Sequence, residues 1–226
     1  MFSYNQPNSF SRRIGRSLSQ LKKRLLVEFL PQVIFKNEDL VKYSQFYSKI
    51  YCEIGFGNGE RLYEEAKNSP SILYLGAEPF INGTGELLKR LRNDPTVTNI
   101  RIWPDDARQL LEQLPNDYLD KLFVLYPDPW PKKKHFKRRI INYSNLEMFA
   151  NKLKVNGYLN IATDHKDYSR WILVETLKSK LFQWDNPEVK DYFDFPQNWI
   201  KTRYQEKSKS GNSQHLFLNY RSIKNC

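Results

Sequence analysis

From residue 49 onward the chain alternates two hydrophobic patterns. Short apolar runs rich in β-branched and aromatic residues occupy 50–54, 72–77, 99–103, 121–126 and 158–162, and each predicts a strand. Between them, 59–68, 83–93, 107–114, 142–154 and 166–180 space their apolar positions as amphipathic helices do. Asn156-Gly157 is expected to turn the chain, and 215–220 to form a late strand. Strands that alternate with helices build βαβ units, so the expectation is an α/β fold with a mostly parallel sheet and helices on both faces. No internal repeat is evident.

Residues 1–36 do not follow this rhythm. Arg12, Arg13, Arg16, Lys22, Lys23 and Arg24 stand among serines there. The segment reads as a basic N-terminal arm ahead of a single domain at 37–226. A solvated tail, disordered without a partner, and a phosphate-contacting arm both remain open.

Charge changes the picture more than length does. Thirty-six Lys and Arg against 25 Asp and Glu leave a formal charge of +11, which favours a polyanionic partner, nucleic acid ahead of a membrane surface. The longest apolar stretch, 25–35, contains Glu28 and Pro31 and is too short to span a bilayer. The opening residues lack the charged and apolar regions of a secretory signal. Two cysteines, Cys52 and Cys226, make no disulfide framework. A cytoplasmic location is therefore expected. His135, His165 and His215 show no metal-ligand spacing, and no metal is expected.

The first candidate chemistry is Gly55-Phe56-Gly57-Asn58-Gly59, between the first strand and the first helix. Open α/β sheets bind ligands at that edge. A dinucleotide fingerprint would carry glycine where Glu60 stands, and a carboxylate repels pyrophosphate, so NAD and ATP fit poorly. Acids follow at successive strand ends: Glu53, Glu78 and Asp106, the last beside Ala107. Such a ring suits a phosphate-free cofactor that carries an ammonium group, a cationic sulfur and ribose hydroxyls. Singly, each acid reads first as a helix cap or solvated turn residue; it is their register at three successive strand ends that points to a cofactor site.

At the fourth strand end, Tyr126-Pro127-Asp128-Pro129-Trp130-Pro131 follows a buried apolar run. The prolines end the strand pairing and stiffen the loop, which holds Asp128 near the reactive end of a cofactor in the glycine loop. Lys132, Lys133, Lys134, His135, Phe136, Lys137, Arg138 and Arg139 come next, a run able to neutralise several phosphates.

Taken together these residues resemble the bacterial tRNA (guanine-N7-)-methyltransferases. The resemblance covers roughly residues 45–221. It rests on Glu53-Ile54-Gly55-Phe56-Gly57-Asn58-Gly59, Gly76-Ala77-Glu78, the run from Pro127 to Arg139, Ala162-Thr163-Asp164 and Thr202-Arg203-Tyr204. It implies a Rossmann-like class I methyltransferase fold with a seven-stranded sheet, S-adenosylmethionine as cofactor, and a guanosine of the tRNA variable loop as substrate. By the same resemblance Glu53, Gly55, Gly57, Gly59, Glu78, Asp106, Ala107 and Asp128 hold the cofactor, and Asp128 is catalytic. Lys132, Asp164, Thr202, Arg203, Tyr204 and Gln205 contact the substrate, and Lys134, His135, Phe136, Lys137, Arg138 and Arg139 the RNA.

One position departs from the family pattern. Gln205 stands where Thr-x-Tyr-Glu has glutamate, and an amide offers one acceptor where a carboxylate offers two. Two rivals remain: an amino-group methyltransferase, whose motif carries proline where Trp130 stands, and a non-catalytic RNA-binding module on the same fold. Monomer and homodimer are both open.

Overall fold

The computed structural model describes residues 13, 15, 17–186, 188–196, 199–201, 205 and 214–224. Eight α-helices and seven strands are found among them, besides three short 3-10 helices: α1 (Gln20–Glu28), α2 (Leu30–Val33), α3 (Leu40–Phe46), β1 (Lys49–Ile54), α4 (Glu60–Asn68), β2 (Ile72–Ala77), α5 (Ile81–Asn93), β3 (Ile100–Trp103), α6 (Ala107–Gln113), β4 (Leu119–Leu125), α7 (Tyr143–Lys152), β5 (Leu153–Thr163), α8 (Lys166–Ser179), β6 (Phe182–Trp184) and β7 (Leu216–Ser222). The strands form one sheet in the order β3-β2-β1-β4-β5-β7-β6. The first five are parallel, and β7 runs antiparallel to both β5 and β6.

Helices cover both faces of the sheet, so its parallel strands are buried on both sides. Along β4, Leu122 and Val124 enter one core and Phe123 and Leu125 the other. That period-two division explains why the strands read as nearly unbroken apolar runs. Helices α6, α7 and α8 contribute Leu110, Leu146, Phe149 and Ile172 to the first core, and α4 and α5 contribute Leu62, Leu87 and Leu88 to the second. Because β1 and β4 are neighbours while β2 and β5 lie outward from them, the chain leaves the centre of the sheet in opposite directions, which opens a crevice at the strands' carboxyl ends.

Three expectations are corrected. The arm at 1–36 is not wholly outside the domain: Ser19 caps α1, whose Leu25 joins the second core with Leu30 of α2, and Lys22 pairs with Glu86 of α5 at 2.7 Å. Phe35 is buried too, and its N–H bonds to the Ile102 carbonyl. The charges masked this packing, since lysine stems lie along a core while their ammonium groups stay at the surface. The turn at Asn156-Gly157 is instead an irregularity inside β5, where the pairing with β4 shifts between Leu119 and Lys121 and Asn156 takes φ +62°. Accordingly α7 ends at Lys152, and β5 begins at the next residue. The short strand β6 had no signal, because three residues show no usable period.

Candidate active site

The crevice widens into a cavity of about 640 Å³. Four successive strand ends meet there: Gly55 and Gly57 after β1, Glu78 after β2, Asp106 and Ala107 after β3, and Tyr126, Asp128 and Trp130 after β4. Phe80, Arg108 and Asn145 also line it, and none had drawn notice from sequence. Their only signal was position, just beyond a strand end or in the first turn of a helix.

Backbone geometry dictates the glycine loop. Gly55, Gly57 and Gly59 take φ of +74°, +59° and +71°, the left-handed region that side chains disfavour. A Cβ at Gly55 or Gly57 would meet nothing within 4 Å, so these glycines leave the backbone bare toward the cavity. Gly83 serves a different end. A Cβ there would lie 2.1 Å from the Gly57 carbonyl oxygen, so glycine lets the start of α5 press against the loop.

The acids divide by orientation. Glu78 accepts hydrogen bonds from Gly57 N–H at 2.7 Å and Phe80 N–H at 2.8 Å, which shapes the loop from the cavity side. Burial pushes its pKa up to about 7, with the two amide donors opposing and the Asp128 carboxylate adding to the rise. Asp106 caps α6 through Arg108 N–H and pairs with the Arg108 guanidinium at 2.6 Å. Glu53 does not line the cavity. It faces the opposite side of the sheet, where its carboxylate pairs with Arg61 at 2.7 Å, both groups nearly fully buried. Burial raises its pKa, and Arg61, stacked 4.1 Å above the Phe123 ring, opposes that rise. The expected direct contact of Glu53 with a cofactor is thus not supported by its position: residues alternate across the sheet, and this one falls on the far face.

The fourth strand end is held by strained backbone. Tyr126 and Trp130 take φ of +52° and +42°, and the Tyr126 N–H bonds to the Ala162 carbonyl at 2.8 Å. Asp128, two residues beyond Tyr126, lines the cavity; it is exposed overall, yet desolvation raises its pKa.

The basic run splits. Lys132, Lys133, Lys134 and Lys137 are exposed, His135 is half-buried 5.7 Å from the Trp130 ring, and Arg138 lies 4.9 Å over the same ring. Arg139 is buried, 3% exposed. Its Nε donates to the Pro129 carbonyl at 2.8 Å and its Nη2 to the Trp130 carbonyl at 3.5 Å, while the guanidinium stacks 3.7 Å from the Phe136 ring. Phe136 packs in turn on Trp171. The expectation that Arg139 contacts RNA is therefore corrected: it faces inward, because a planar guanidinium can satisfy carbonyls at its edge and stack aromatic rings on its faces, whereas Phe136 packs on Trp171 and stays partly exposed. Asp164 lies beyond the end of β5, outside the cavity lining, where its charge acts on His215. Gln205 is buried beside Tyr126; Thr202, Arg203 and Tyr204 lie outside the described residues.

Comparison with known proteins sharpens this geometry. The family described as Putative methyltransferase matches residues 47–218. A tRNA (guanine-N(7)-)-methyltransferase of Rhodospirillum rubrum is 35% identical over 221 residues, 94% of this chain and 86% of that protein. The enzyme of the same name from Zymomonas mobilis is 33% identical over 95% of this chain and 94% of its own length. The chain belongs to the tRNA (guanine-N(7)-)-methyltransferase family. A member of this family is an enzyme, and its sheet is that of the class I methyltransferases. An antibiotic-related methyltransferase superposes with a TM-score of 0.61 at 18% identity, covering 84% of this chain and 96% of that one. A variant of the 16S rRNA (adenine(1408)-N(1))-methyltransferase of Catenulisporales acidiphilia, solved with cosubstrate SAM, gives 0.60 at 16% identity, covering 84% and 93%. At these identities the likeness is one of fold.

The cavity's donor set fits the cofactor class that the family implies. Bare backbone at Gly55 and Gly57 admits close approach, and the Glu78 carboxylate keeps acceptor capacity beyond the two amides it already binds. The lining mixes the carboxylates of Glu78, Asp106 and Asp128 with the cations of Arg108, Lys137, Arg138 and Arg139, and Asp106 is paired with Arg108, so a cationic ligand would be met by Glu78 and Asp128. Among the described residues no group of His, Cys, Asp and Glu is placed to hold a metal ion, and no helix is long and apolar enough to cross a membrane.

Proposed function

We propose that this protein transfers the methyl group of S-adenosylmethionine to N7 of a guanosine in tRNA, at the variable loop that the resemblance indicates. The observation that carries this reading is the cavity itself, in a member of this family. It brings the glycine loop, Glu78, Asp106 and Asp128 together at consecutive strand ends.

S-Adenosylmethionine supplies an electrophilic methyl group on a sulfonium. The protein does the rest by placement. Glu78, which fixes the Gly57 amide, would accept from the cofactor's ribose hydroxyls, and Ala107, with the capped start of α6, would border its adenine. Glu53 acts at a distance: its pair with Arg61 steadies the end of β1 from behind. Guanine N7 bears a free lone pair at neutral pH, so no general base is required and alignment is the main demand. Fixing the base in line with the methyl removes on the order of 7 kcal/mol from the barrier in favourable cases. Asp128 orients the base and offsets the positive charge that methylation leaves on the purine. Lys132, Asp164 and the segment 202–204 border the substrate, with Lys134, His135, Lys137 and Arg138 toward the RNA backbone. A base stacked in the folded tRNA must first unstack, at a cost of a few kcal/mol.

The test is incubation of unmodified tRNA with labelled S-adenosylmethionine, followed by nucleoside analysis. The expected product is 7-methylguanosine; methyl groups on exocyclic amines would favour the amino-group alternative. Asp128→Ala should lower methyl transfer by about 100- to 1,000-fold, the scale seen when one preorganised electrostatic group is lost, while tRNA binding persists. Near-wild-type turnover would remove Asp128 from the chemistry.

A further inference from the structure

Gln205 is 2% exposed, and both ends of its amide are engaged by the protein. The Trp199 indole N–H donates to its Oε1 at 3.2 Å, and its Nε2 donates to the Tyr126 hydroxyl oxygen at 2.6 Å. Indole nitrogen is a donor only, so chemistry fixes the amide's orientation: the carbonyl must face Trp199 and the NH₂ must face Tyr126. Each partner is itself anchored. Trp199 packs 5.0 Å from the Phe217 ring and 5.4 Å from the Arg61 guanidinium, which is paired with Glu53. Tyr126 carries the strained φ of +52° that starts the catalytic loop, two residues before Asp128. A chain of contacts, buried at Glu53, Arg61 and Gln205 and partly buried at Trp199 and Tyr126, thus runs from Glu53 through Arg61, Trp199 and Gln205 to Tyr126.

We infer that Gln205 is a positioning residue that holds Tyr126, and with it the Asp128 loop, and that it does not read the guanine edge. This rests on the methyl transfer proposed above. It also removes the difficulty of the missing glutamate. A carboxylate at 205 would accept from both the indole N–H and the phenol O–H, so glutamate and glutamine make the same tie by different hydrogen-bond polarity. The amide lets the Tyr126 oxygen act as acceptor, whereas a carboxylate would require it to donate.

The test uses the full chain with Gln205→Leu, Gln205→Glu, Tyr126→Phe and the double variant of the first and third. The cofactor-free protein is examined through the indole N–H resonance of Trp199, identified by its loss in Trp199→Phe, and kcat and KM are then measured with tRNA. In Gln205→Leu the resonance should move to the position of a non-bonded indole. Its kcat should fall by on the order of 10-fold, the worth of one or two neutral hydrogen bonds, with KM for tRNA within about twofold of wild type. Gln205→Glu should keep both the bonded resonance and the activity. Tyr126→Phe, which deletes one oxygen and leaves the ring packed, should lower kcat similarly, and the double variant should be no worse than Gln205→Leu. An unmoved indole resonance in Gln205→Leu would overturn the inference, as would a raised KM with kcat intact or losses that multiply in the double variant. If the wild-type protein methylated no tRNA, the functional proposal would fall while the indole resonance still decided the tie.

Discussion

Lys134 and Arg139 lie five positions apart in one basic run and meet opposite fates. Lys134, with Lys132, Lys133 and Lys137, projects into solvent, whereas Arg139 is buried against Pro129, Trp130 and Phe136. The difference follows from head-group chemistry. An ammonium is a compact, strongly hydrated charge, while a guanidinium is weakly hydrated, planar and rich in edge donors. A charge cluster in a sequence can therefore contain two machines, one left in solvent where a polyanion could reach it and one that holds a loop.

Arg139→Ala should break the second machine with the largest effect. It leaves two loop carbonyls without their donor and opens space among Phe136, Tyr168 and Trp171. The expected loss is about 2–4 kcal/mol of stability, or roughly 5–15 °C in Tm for a chain of this size, with methyl transfer by the folded fraction also reduced. Arg139→Lys should rescue only partly, since an ammonium cannot bond both carbonyls and stack. A variant with unchanged Tm and weakened tRNA binding would place Arg139 with the lysines and dissolve the comparison.

The same contrast shows what sequence could reveal. The parallel sheet was legible because each strand is a short apolar run in step with an amphipathic helix, and the glycine loop because left-handed turns demand glycine. Orientation was not legible. Glu53 and Glu78 look equivalent as acids near strand ends, yet one pleat step places Glu53 on the far face with Arg61, while Glu78 turns into the cavity. Gly83 gave no hint of its close approach to the Gly57 carbonyl, since that approach belongs to the meeting of two separate elements. Arg139 was misread for the same reason: nothing local distinguishes it from Arg138.

The outward half of the run is tested by salt. Replacing Lys132, Lys133 and Lys134 together with alanine should weaken tRNA binding by about 10- to 100-fold at low salt and leave Tm within about 1 °C. The slope of log affinity against log salt should flatten by about 0.7–0.9 for each lysine that meets a phosphate. Folded Arg139 variants should keep the wild-type slope. A triple variant with an unchanged slope would show that these lysines are only a solvated face.

The smallest effect expected belongs to the acids and depends on pH. Because burial holds Glu78 near pKa 7, the folded protein keeps a proton that the unfolded chain has lost over the window from the ordinary carboxylate range up to about 7. Stability from this group is therefore present at low pH and falls as pH rises through that window. Binding runs the other way. A cationic cofactor favours ionised Glu78, so S-adenosylmethionine affinity should rise by about threefold between pH 6 and 8 and release protons on binding, measurable by calorimetry in buffers of different ionisation enthalpy. Glu78→Gln should bind more weakly and lose both the pH dependence and the proton release. Should the release persist in that variant, the titrating group is Asp128, which faces the same cavity and is also raised by desolvation, and the division between inward and cavity-facing acids would need to be redrawn around it.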